Sequence, residues 1–173
     1  MAASAQRGTT LLELLVALAL VALLASVGYP HMRGLTERSA QRAALSQLQS
    51  ALTLARHTAI TRSERVFVCP RAGSANACGL DWSRTLLVVT GDTRAPLPAE
   101  RIVRALPDSD ARITYNRGWR RVRFSPLGHS SGHNGTFTVC PAGNVTSGGN
   151  NTLVLSQLGR IRVTHTPDGC AAS

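Results

Sequence analysis

An apolar segment near the N-terminus constrains this chain more than any other feature. From Thr9 to Tyr29 the sequence carries a single charged side chain, Glu13. A helix rises about 1.5 Å per residue, so this segment has the length needed to cross the roughly 30 Å hydrocarbon core of a membrane. An ionisable side chain inside such a segment costs about 2.5–3.5 kcal/mol at the membrane centre, and we therefore expect Glu13 to have a function.

A secretory signal peptide is the alternative interpretation of this segment. Two observations count against it. No A-x-A-like cleavage site leads from the apolar run to a mature N-terminus, and Glu13 lies inside the run rather than before it. We therefore expect residues 9–30 to remain in the mature protein as a transmembrane helix.

The residues around the start of the apolar run resemble a known export signal. Gly8 ends a short leader, MAASAQRG, and is followed by Thr-Thr-Leu-Leu-Glu, with Pro30 at the far end of the run. This arrangement resembles the class III signal of type IV pilins and pseudopilins. The resemblance implies that residues 1–8 are a leader, that prepilin peptidase cuts between Gly8 and Thr9, and that the new amine is methylated.

The same resemblance implies that Glu13 acts in filament assembly. After cleavage Glu13 would lie one helical turn from the new α-amino group, at the positive end of the helix dipole, which favours its charge. In a bundle of such helices it could instead pair with the amine of a neighbouring chain and so set the register between subunits. The expected partners are other pilin or pseudopilin subunits, prepilin peptidase and the inner membrane. The globular domain is expected in the periplasm and in the assembled pilus or pseudopilus.

The charge of the chain is strongly positive. The sequence has 19 basic and 9 acidic residues, for a net charge of +10, and every basic residue is arginine. A GC-rich genome accounts for the choice of arginine but not for the excess of basic over acidic residues. Such a field attracts polyanions or anionic surfaces, and DNA is therefore an expected partner through phosphate contacts.

Four cysteines, Cys69, Cys78, Cys140 and Cys170, lie beyond the apolar segment. An exported domain meets an oxidising compartment, so two disulfides are expected, with three possible connectivities. We favour Cys69–Cys78, which closes a short loop, and Cys140–Cys170, which tethers the C-terminus. A zinc site is the alternative, but the sequence lacks a C-x2-C pair and its histidines do not stand at ligand spacing, so no metal or other cofactor is expected.

Residues 31–173 are predicted to form one globular domain. Apolar residues recur at steps of three and four from Leu45 to Ala59, which predicts that the helix continues from Arg33 to about Arg62 and packs on a sheet. A helix followed by short β-branched runs predicts an α+β fold, with the long N-terminal helix on an antiparallel, β-sandwich-like domain. The predicted strands are Arg65–Cys69, Thr85–Thr90, Arg101–Leu106, Arg112–Tyr115, Arg121–Phe124, Thr136–Cys140, Thr152–Ser156 and Arg160–Thr164.

The globular part resembles the FimT/FimU and GspH branch of the pilin family in the stretches RVRFSPLG, TFTVCP and LVLSQLGRIRV. That branch implies a pair of sheets against the helix and a filament subunit rather than an enzyme. The sequence itself shows no serine in a nucleophile elbow and no Gly-rich phosphate loop before a helix. His129 and His133 stand four apart, but the glycines around them predict a solvated loop rather than a metal site.

The first candidate binding site is the arginine-rich stretch that ends at Phe124. Strand alternation predicts that Val122 and Phe124 face the core while Trp119, Arg121 and Arg123 face outward. An aromatic ring flanked by cations suits nucleic acid, and a charged solvated face is the alternative interpretation.

The second candidate site is Gly159-Arg-Ile-Arg162. Alternation predicts that Ile161 and Val163 face the core and that Arg160 and Arg162 project together, with Gly159 allowing the chain to turn into the strand. This GRxR pattern resembles the DNA-contacting motif of FimT-type minor pilins, which are implicated in DNA capture for natural transformation. The prediction is a non-enzymatic minor pilin that assembles or primes a filament and binds DNA. The alternative is a GspH-type pseudopilin of a type II secretion system.

Overall fold

The computed structural model describes residues 11–73, 76–93, 96–130, 132–142, 150–166 and 170, without the side chains of 27–34 and 166. The chain divides into two compact units, residues 1–36 and 37–173. The predicted leader, with the cleavage point between Gly8 and Thr9, lies outside the described residues.

Helix α1 spans Leu11–Thr61. It includes the segment from Arg33 to about Arg62 that the apolar periodicity predicted to be helical. In the second unit the side chains at the three-and-four spacing, Leu48, Leu52, Ala55 and Ala59, are fully buried. Leu45, at the start of the predicted stripe, is partly buried against the same core. The predicted core-facing stripe of the helix is therefore confirmed.

In the part of the chain that the structure describes, eight strands follow α1, as predicted, and they form two antiparallel sheets. The first sheet has the order β3-β2-β1-β5 and the second has the order β4-β6-β7-β8. A 3-10 turn at Ala99–Arg101 leads into β3. The strands are β1 Val66–Pro70, β2 Leu86–Thr90, β3 Ile102–Leu106, β4 Ala111–Tyr115, β5 Val122–Phe124, β6 Gly135–Pro141, β7 Asn150–Leu155 and β8 Ile161–Thr166.

The main core lies where the inner faces of both sheets meet the apolar stripe of α1. Trp82 lies at its centre, with its ring edge against Phe137 at a centroid distance of 4.9 Å, and Phe137 stacks on Tyr115 at 4.2 Å. Such aromatic pairs add about 0.5–1.5 kcal/mol each beyond the area that they bury. The predicted α+β architecture is confirmed.

Strands β1 and β2 are buried on both faces. Their second face forms a small separate core of Phe67, Cys69, Leu87 and Val89, which Leu97 covers from the loop after β2. The Cys69–Cys78 disulfide lies at the same face, with a Cα–Cα distance of 5.5 Å. The two central strands of the first sheet are therefore covered on both faces, which explains why they are continuously apolar.

The second disulfide joins Cys140 at the end of β6 to Cys170, with a Cα–Cα distance of 5.7 Å. Both predicted pairings are therefore present in the structure. A crosslink that closes a loop of this length contributes about 3–4 kcal/mol on the loop-entropy model. It ties the C-terminal end of the chain to the second sheet.

The part of α1 in the first unit carries exposed apolar side chains, from Leu11, 78% exposed, to Leu24, 75% exposed. Among the described residues, no helix combines the length and the apolarity that crossing a membrane requires. Both ends of the predicted transmembrane segment 9–30 lie outside the described side chains, so that assignment stays a prediction.

The bounds of the strands differ from the predicted ones by one or two residues, and at β5 and β8 the differences from the prediction affect the candidate sites. Strand β5 begins at Val122 rather than at Arg121, so strand alternation does not extend back to Trp119. Val163 lies opposite the buried Leu153 but is 40% exposed, because β8 is the edge strand of the second sheet. The prediction that Val163 is a core residue is therefore wrong.

Candidate nucleic-acid interface

The GRxR stretch forms the tip of the β7–β8 hairpin. The backbone N–H of Gly159 donates to the Ser156 carbonyl at 2.9 Å, and the N–H of Ser156 donates to the Arg160 carbonyl at 2.9 Å. Gly159 has a φ of +72°. A tight turn followed by a left-handed residue is the usual three-residue hairpin connection, and it needs glycine or asparagine at this position.

Gly159 also allows a close approach between two loops. A Cβ at this position would lie 2.1 Å from the carbonyl oxygen of Gly128 and 3.1 Å from Nε of Arg56. The Arg56 Nε itself donates to that carbonyl at 3.2 Å. The hairpin tip is therefore fixed against the loop after β5 and the end of α1.

Arg160 and Arg162 are both exposed; Arg162 lies on the outer face of β8, and Arg160 immediately precedes that strand. Arg162 stands opposite Val154 of β7, and with Ser156 and Leu158 these residues line a shallow depression of about 720 Å³. Neither arginine forms an ion pair with any residue that the structure describes. Both guanidinium groups are therefore available for an external anion.

The arginines at β5 have a different environment. Arg123 stands opposite Phe67 of β1, on the outer face of the first sheet. Its Nη2 lies 3.2 Å from Oδ1 of Asp92, and Nη1 of Arg121 lies 4.0 Å from the same oxygen. Arg65 approaches the other carboxylate oxygen at 3.5 Å. Asp92 therefore holds three arginines, and we call these four residues the Asp92 cluster.

Arg121 is also held by the fold. Its guanidinium lies over the Phe67 ring, 5.2 Å from the centroid, and Nη1 donates to the Thr93 carbonyl at 3.3 Å. The Nε of Arg123 is buried without a partner among the described atoms. The outward direction predicted for these two side chains is correct, but they cover the small core of the first sheet.

Trp119 is packed against the protein rather than between Arg121 and Arg123. Its ring meets the His133 ring edge to face at a centroid distance of 4.7 Å. The cation nearest its face is Arg117, at 6.0 Å. Trp119 is exposed, as predicted, and has the Arg117 cation over its ring, but Arg121 and Arg123 are held at Asp92 instead of flanking it.

The environment of His133 favours its neutral form. Burial lowers the pKa of His133 below its ordinary value, and the positive charges of Arg123 and Arg121 lower it further. Its Nδ1 lies 3.1 Å from the Arg121 carbonyl, and because a carbonyl only accepts, this nitrogen carries the proton. Burial likewise raises the pKa of Tyr115 to about 12, and its hydroxyl donates to the His133 carbonyl at 2.8 Å.

The charge distribution along the chain separates the two arginine sites. Among the described residues, the carboxylates that form ion pairs with arginines all precede β4. They are Glu64, Asp81, Asp92 and Asp108. From residue 111 to residue 166 the sequence contains no aspartate or glutamate. The second sheet is therefore a surface without acidic side chains along all four of its strands.

The remaining residues considered in the sequence analysis are Glu13, His129 and His133. Glu13 lies in the first turn of α1 as the structure describes it, with an exposed side chain. His129 and His133 lie in the loop after β5, as predicted, but both are half-buried, so the prediction that this loop is solvated is wrong for them. Within the described part of the chain, no three histidine, cysteine or acidic side chains come together in a way that could hold a metal ion.

Sequence reasoning missed Asp92 and the contact between Arg56 and Gly128. Asp92 lies in the loop after β2, between two predicted strands, and no local pattern places it beside β5. Buried or half-buried arginines need a counter-charge, and the chain has few acidic residues. Asp92 could therefore have been expected to pair with arginines. The Arg56 contact joins residues far apart in the sequence, and no local pattern indicates it.

Comparison with known proteins agrees with this architecture. Residues 44–159 match the family described as type II transport protein GspH, and residues 3–29 match the prokaryotic N-terminal methylation motif. None of the curated protein sequences matches the chain.

The fold is similar to that of the type IV minor pilin FimU from Pseudomonas aeruginosa in two crystal forms. The first has a TM-score of 0.61 at 21% identity, covering 79% of this chain and 98% of FimU. The second has a TM-score of 0.58 at 20% identity, covering 75% and 99%. This likeness shows the fold alone, whereas the GspH match spans most of the chain. The chain therefore belongs to the GspH family, the type IV minor pilins and pseudopilins.

Proposed function

We propose that this protein is a minor pilin of a type IV pilus that binds DNA for natural transformation through Arg160 and Arg162. The observation that carries the proposal is the pair of exposed arginines, without a described carboxylate partner, on a sheet that has no acidic residue. The fixed position of the hairpin tip at Gly159 supports it, because a preorganised contact loses less entropy on binding.

The contact is with phosphates rather than with bases. An arginine guanidinium grips phosphate oxygens with two parallel hydrogen bonds. The second sheet offers no helix to enter the major groove, so binding has little sequence preference. With two main arginine contacts a single subunit binds weakly, and its affinity falls with salt as counterions are released.

The test is equilibrium binding of a labelled DNA duplex to the full-length protein in a nonionic detergent. The parent and the double variant Arg160→Ala/Arg162→Ala are compared at about 50 and 150 mM salt, where counterion release makes phosphate contacts easy to detect. We expect the double variant to lose most of the binding at both concentrations. Equal binding by parent and variant would refute the DNA-receptor role.

The alternative function is that of a pseudopilin in a type II secretion system, which the description of the matched family favours. Both functions use the same fold and the same N-terminal signal. Deleting the gene separates them: a pseudopilin deletion abolishes secretion of exported enzymes, whereas a DNA-binding minor pilin deletion lowers transformation and leaves secretion intact.

We further propose that prepilin peptidase cleaves between Gly8 and Thr9 and that residues 9–30 anchor the protein in the inner membrane. The match to the methylation motif and the exposed apolar side chains of the first unit support this. Mass spectrometry of the mature N-terminus is expected to find methylated Thr9. A start downstream of Tyr29 would instead indicate a removed signal peptide.

In this proposal Glu13 pairs with the N-terminal amine of a neighbouring subunit, and the globular domain lies in the periplasm before assembly. Glu13→Ala is then expected to leave membrane insertion intact and to reduce incorporation into filaments. Glu13→Asp keeps the charge and serves as the control.

A further inference from the structure

A row of threonines crosses the outer face of the second sheet. Thr114 of β4 stands opposite Thr138 of β6, Thr138 stands opposite Thr152 of β7, and Thr152 stands opposite Thr164 of β8. A sequence neighbour of each of the first three, Ile113, Phe137 and Leu153 respectively, is buried in the main core, so these threonines lie on the opposite face of the sheet. These four residues, the threonine row, therefore form one line across all four strands.

The threonine row is open to solvent. Thr114 and Thr164 are exposed, and Thr138 and Thr152 are half-buried. The Thr152 hydroxyl donates to the Thr164 carbonyl at 3.3 Å. The hydroxyls of Thr114, Thr138 and Thr164 donate to no atom among the residues that the structure describes, so three donors remain for an external acceptor.

Arginines stand at both ends of the row. Arg162 precedes Thr164 by two residues on β8 and therefore lies on the same face; Arg160, just before the strand, lines the same depression as these two residues. At the opposite edge Arg112 precedes Thr114 on β4 and is exposed. Three inter-strand steps separate these edges, a width of about 14 Å.

The chemistry of this face fits a phosphodiester chain. Threonine hydroxyls and arginines are the side chains that commonly donate to phosphate oxygens. No carboxylate along the four strands would repel the phosphates. A neutral or cationic partner would not use the exposed guanidinium groups of Arg160 and Arg162.

We propose that the threonine row is part of the DNA-contact surface, with a DNA backbone crossing the second sheet from Arg160 and Arg162 toward β4. This inference rests on the proposed DNA-binding function and extends it beyond the hairpin. The hydroxyls of Thr114, Thr138 and Thr164 donate to phosphate oxygens along this path. Because they carry no charge, they add affinity without releasing counterions.

The experiment replaces these three threonines with valine, which keeps the β-branched shape and removes the hydroxyls. Binding of a DNA duplex to the full-length protein in detergent is measured at several salt concentrations between about 50 and 200 mM. We expect the triple valine variant to lose about tenfold in affinity at every salt concentration, with an unchanged dependence on salt.

Two further variants keep this test decisive. The triple serine variant restores the hydroxyls and is expected to bind as the parent does, even if the valine variant is less stable. Thr53→Val, at an exposed position on α1, is expected to have no effect.

The outcomes separate this inference from the function on which it rests. If the valine variant binds like the parent while Arg160→Ala/Arg162→Ala does not, the threonine row has no role and the hairpin site stands. A serine variant as weak as the valine variant, or a changed salt dependence, would also overturn the inference. If the arginine variant binds like the parent, the proposed function itself fails.

Discussion

The two arginine-rich regions of this protein have similar sequences and opposite environments. Arg121 and Arg123 share one carboxylate, Asp92, and their side chains are only 30% and 36% exposed. Arg160 and Arg162 lie at the start of an edge strand, exposed, in a part of the chain without acidic residues. One region uses its arginines to cover a small apolar core, and the other presents them to solvent.

The difference shows that a count of arginines does not locate a binding surface. A guanidinium that already meets a carboxylate and an aromatic ring must give up those contacts before it binds a phosphate. An unpaired exposed guanidinium gives up only water. The net charge of +10 is therefore distributed unevenly between structural and available groups.

The largest expected effect is that of Gly159→Ala, which tests whether the hairpin is fixed in place. A Cβ would lie 2.1 Å from the Gly128 carbonyl at a φ of +72°, so the backbone must shift. We expect a loss of about 3 kcal/mol in the free energy of unfolding, combining left-handed strain with overpacking. Chemical denaturation measures it.

Gly118→Ala is the matched control for this substitution. Gly118 also has a positive φ, +62°, but an added Cβ would meet nothing within 4 Å. Its expected cost is about 1 kcal/mol, from the backbone strain alone. Equal losses at the two glycines would mean that the contact with Gly128 does not fix the hairpin.

The next effect is that of Asp92→Asn, which would leave the arginines of the Asp92 cluster without an ion-pair partner, as Arg160 and Arg162 are. Removing the shared carboxylate frees Arg121, Arg123 and Arg65 from their ion pairs. These pairs are partly exposed, so the expected loss of stability is about 1 kcal/mol or less. DNA affinity is expected to rise several-fold at low salt, with a salt slope steeper by about one.

Glu100→Gln is the control, because it removes one negative charge without releasing a described arginine. Its effect on DNA affinity is expected to be smaller than that of Asp92→Asn. An equal rise in the two variants would show that net charge, and not the pairing by Asp92, sets the affinity.

The smallest effect is the change of stability with pH that comes from His133, which lies beside Arg121 of the Asp92 cluster. Burial and the nearby Arg123 and Arg121 lower the pKa of His133 in the folded state, so the unfolded state binds the proton more readily. The folded protein therefore loses stability as the pH falls below the ordinary histidine pKa of 6.5. The expected loss is at most about 1 kcal/mol.

His133→Asn keeps a hydrogen-bond donor for the Arg121 carbonyl but does not titrate, so its stability is expected to depend less on pH between about 5 and 7. His57→Asn, at an exposed helix position, is the control. Thermal unfolding across this pH range measures both. If His133→Asn retains the full pH dependence of the parent, His133 is not the group responsible.

Local patterns in the sequence predicted most of the fold. The stripe from Leu48 to Ala59, the eight strands and both disulfides follow from periodicity, β-branched runs and the order of the cysteines. Val163 was predicted incorrectly because its position on an edge strand depends on the order of strands in the sheet. Periodicity reports which face a residue takes but not whether anything covers that face.

The candidate site was predicted only in part, for a similar reason. Gly159, Arg160 and Arg162 lie on a local hairpin, so alternation placed them correctly. The pairing of Arg121 and Arg123 with Asp92 depends on a loop about 30 residues away in the sequence. The threonine row requires the register of four strands, which the sequence does not indicate.

The most direct test of this account compares the salt dependence of DNA binding in two charge-neutralised variants. In Arg160→Gln/Arg162→Gln and Arg121→Gln/Arg123→Gln, each pair loses two charges but keeps much of its side-chain packing. The account predicts that the slope of log affinity against log salt falls by about two in the first variant and by much less than one in the second. An equal fall in both variants, or a fall only in the second, would contradict the assignment of the DNA-contact surface to the β7–β8 hairpin.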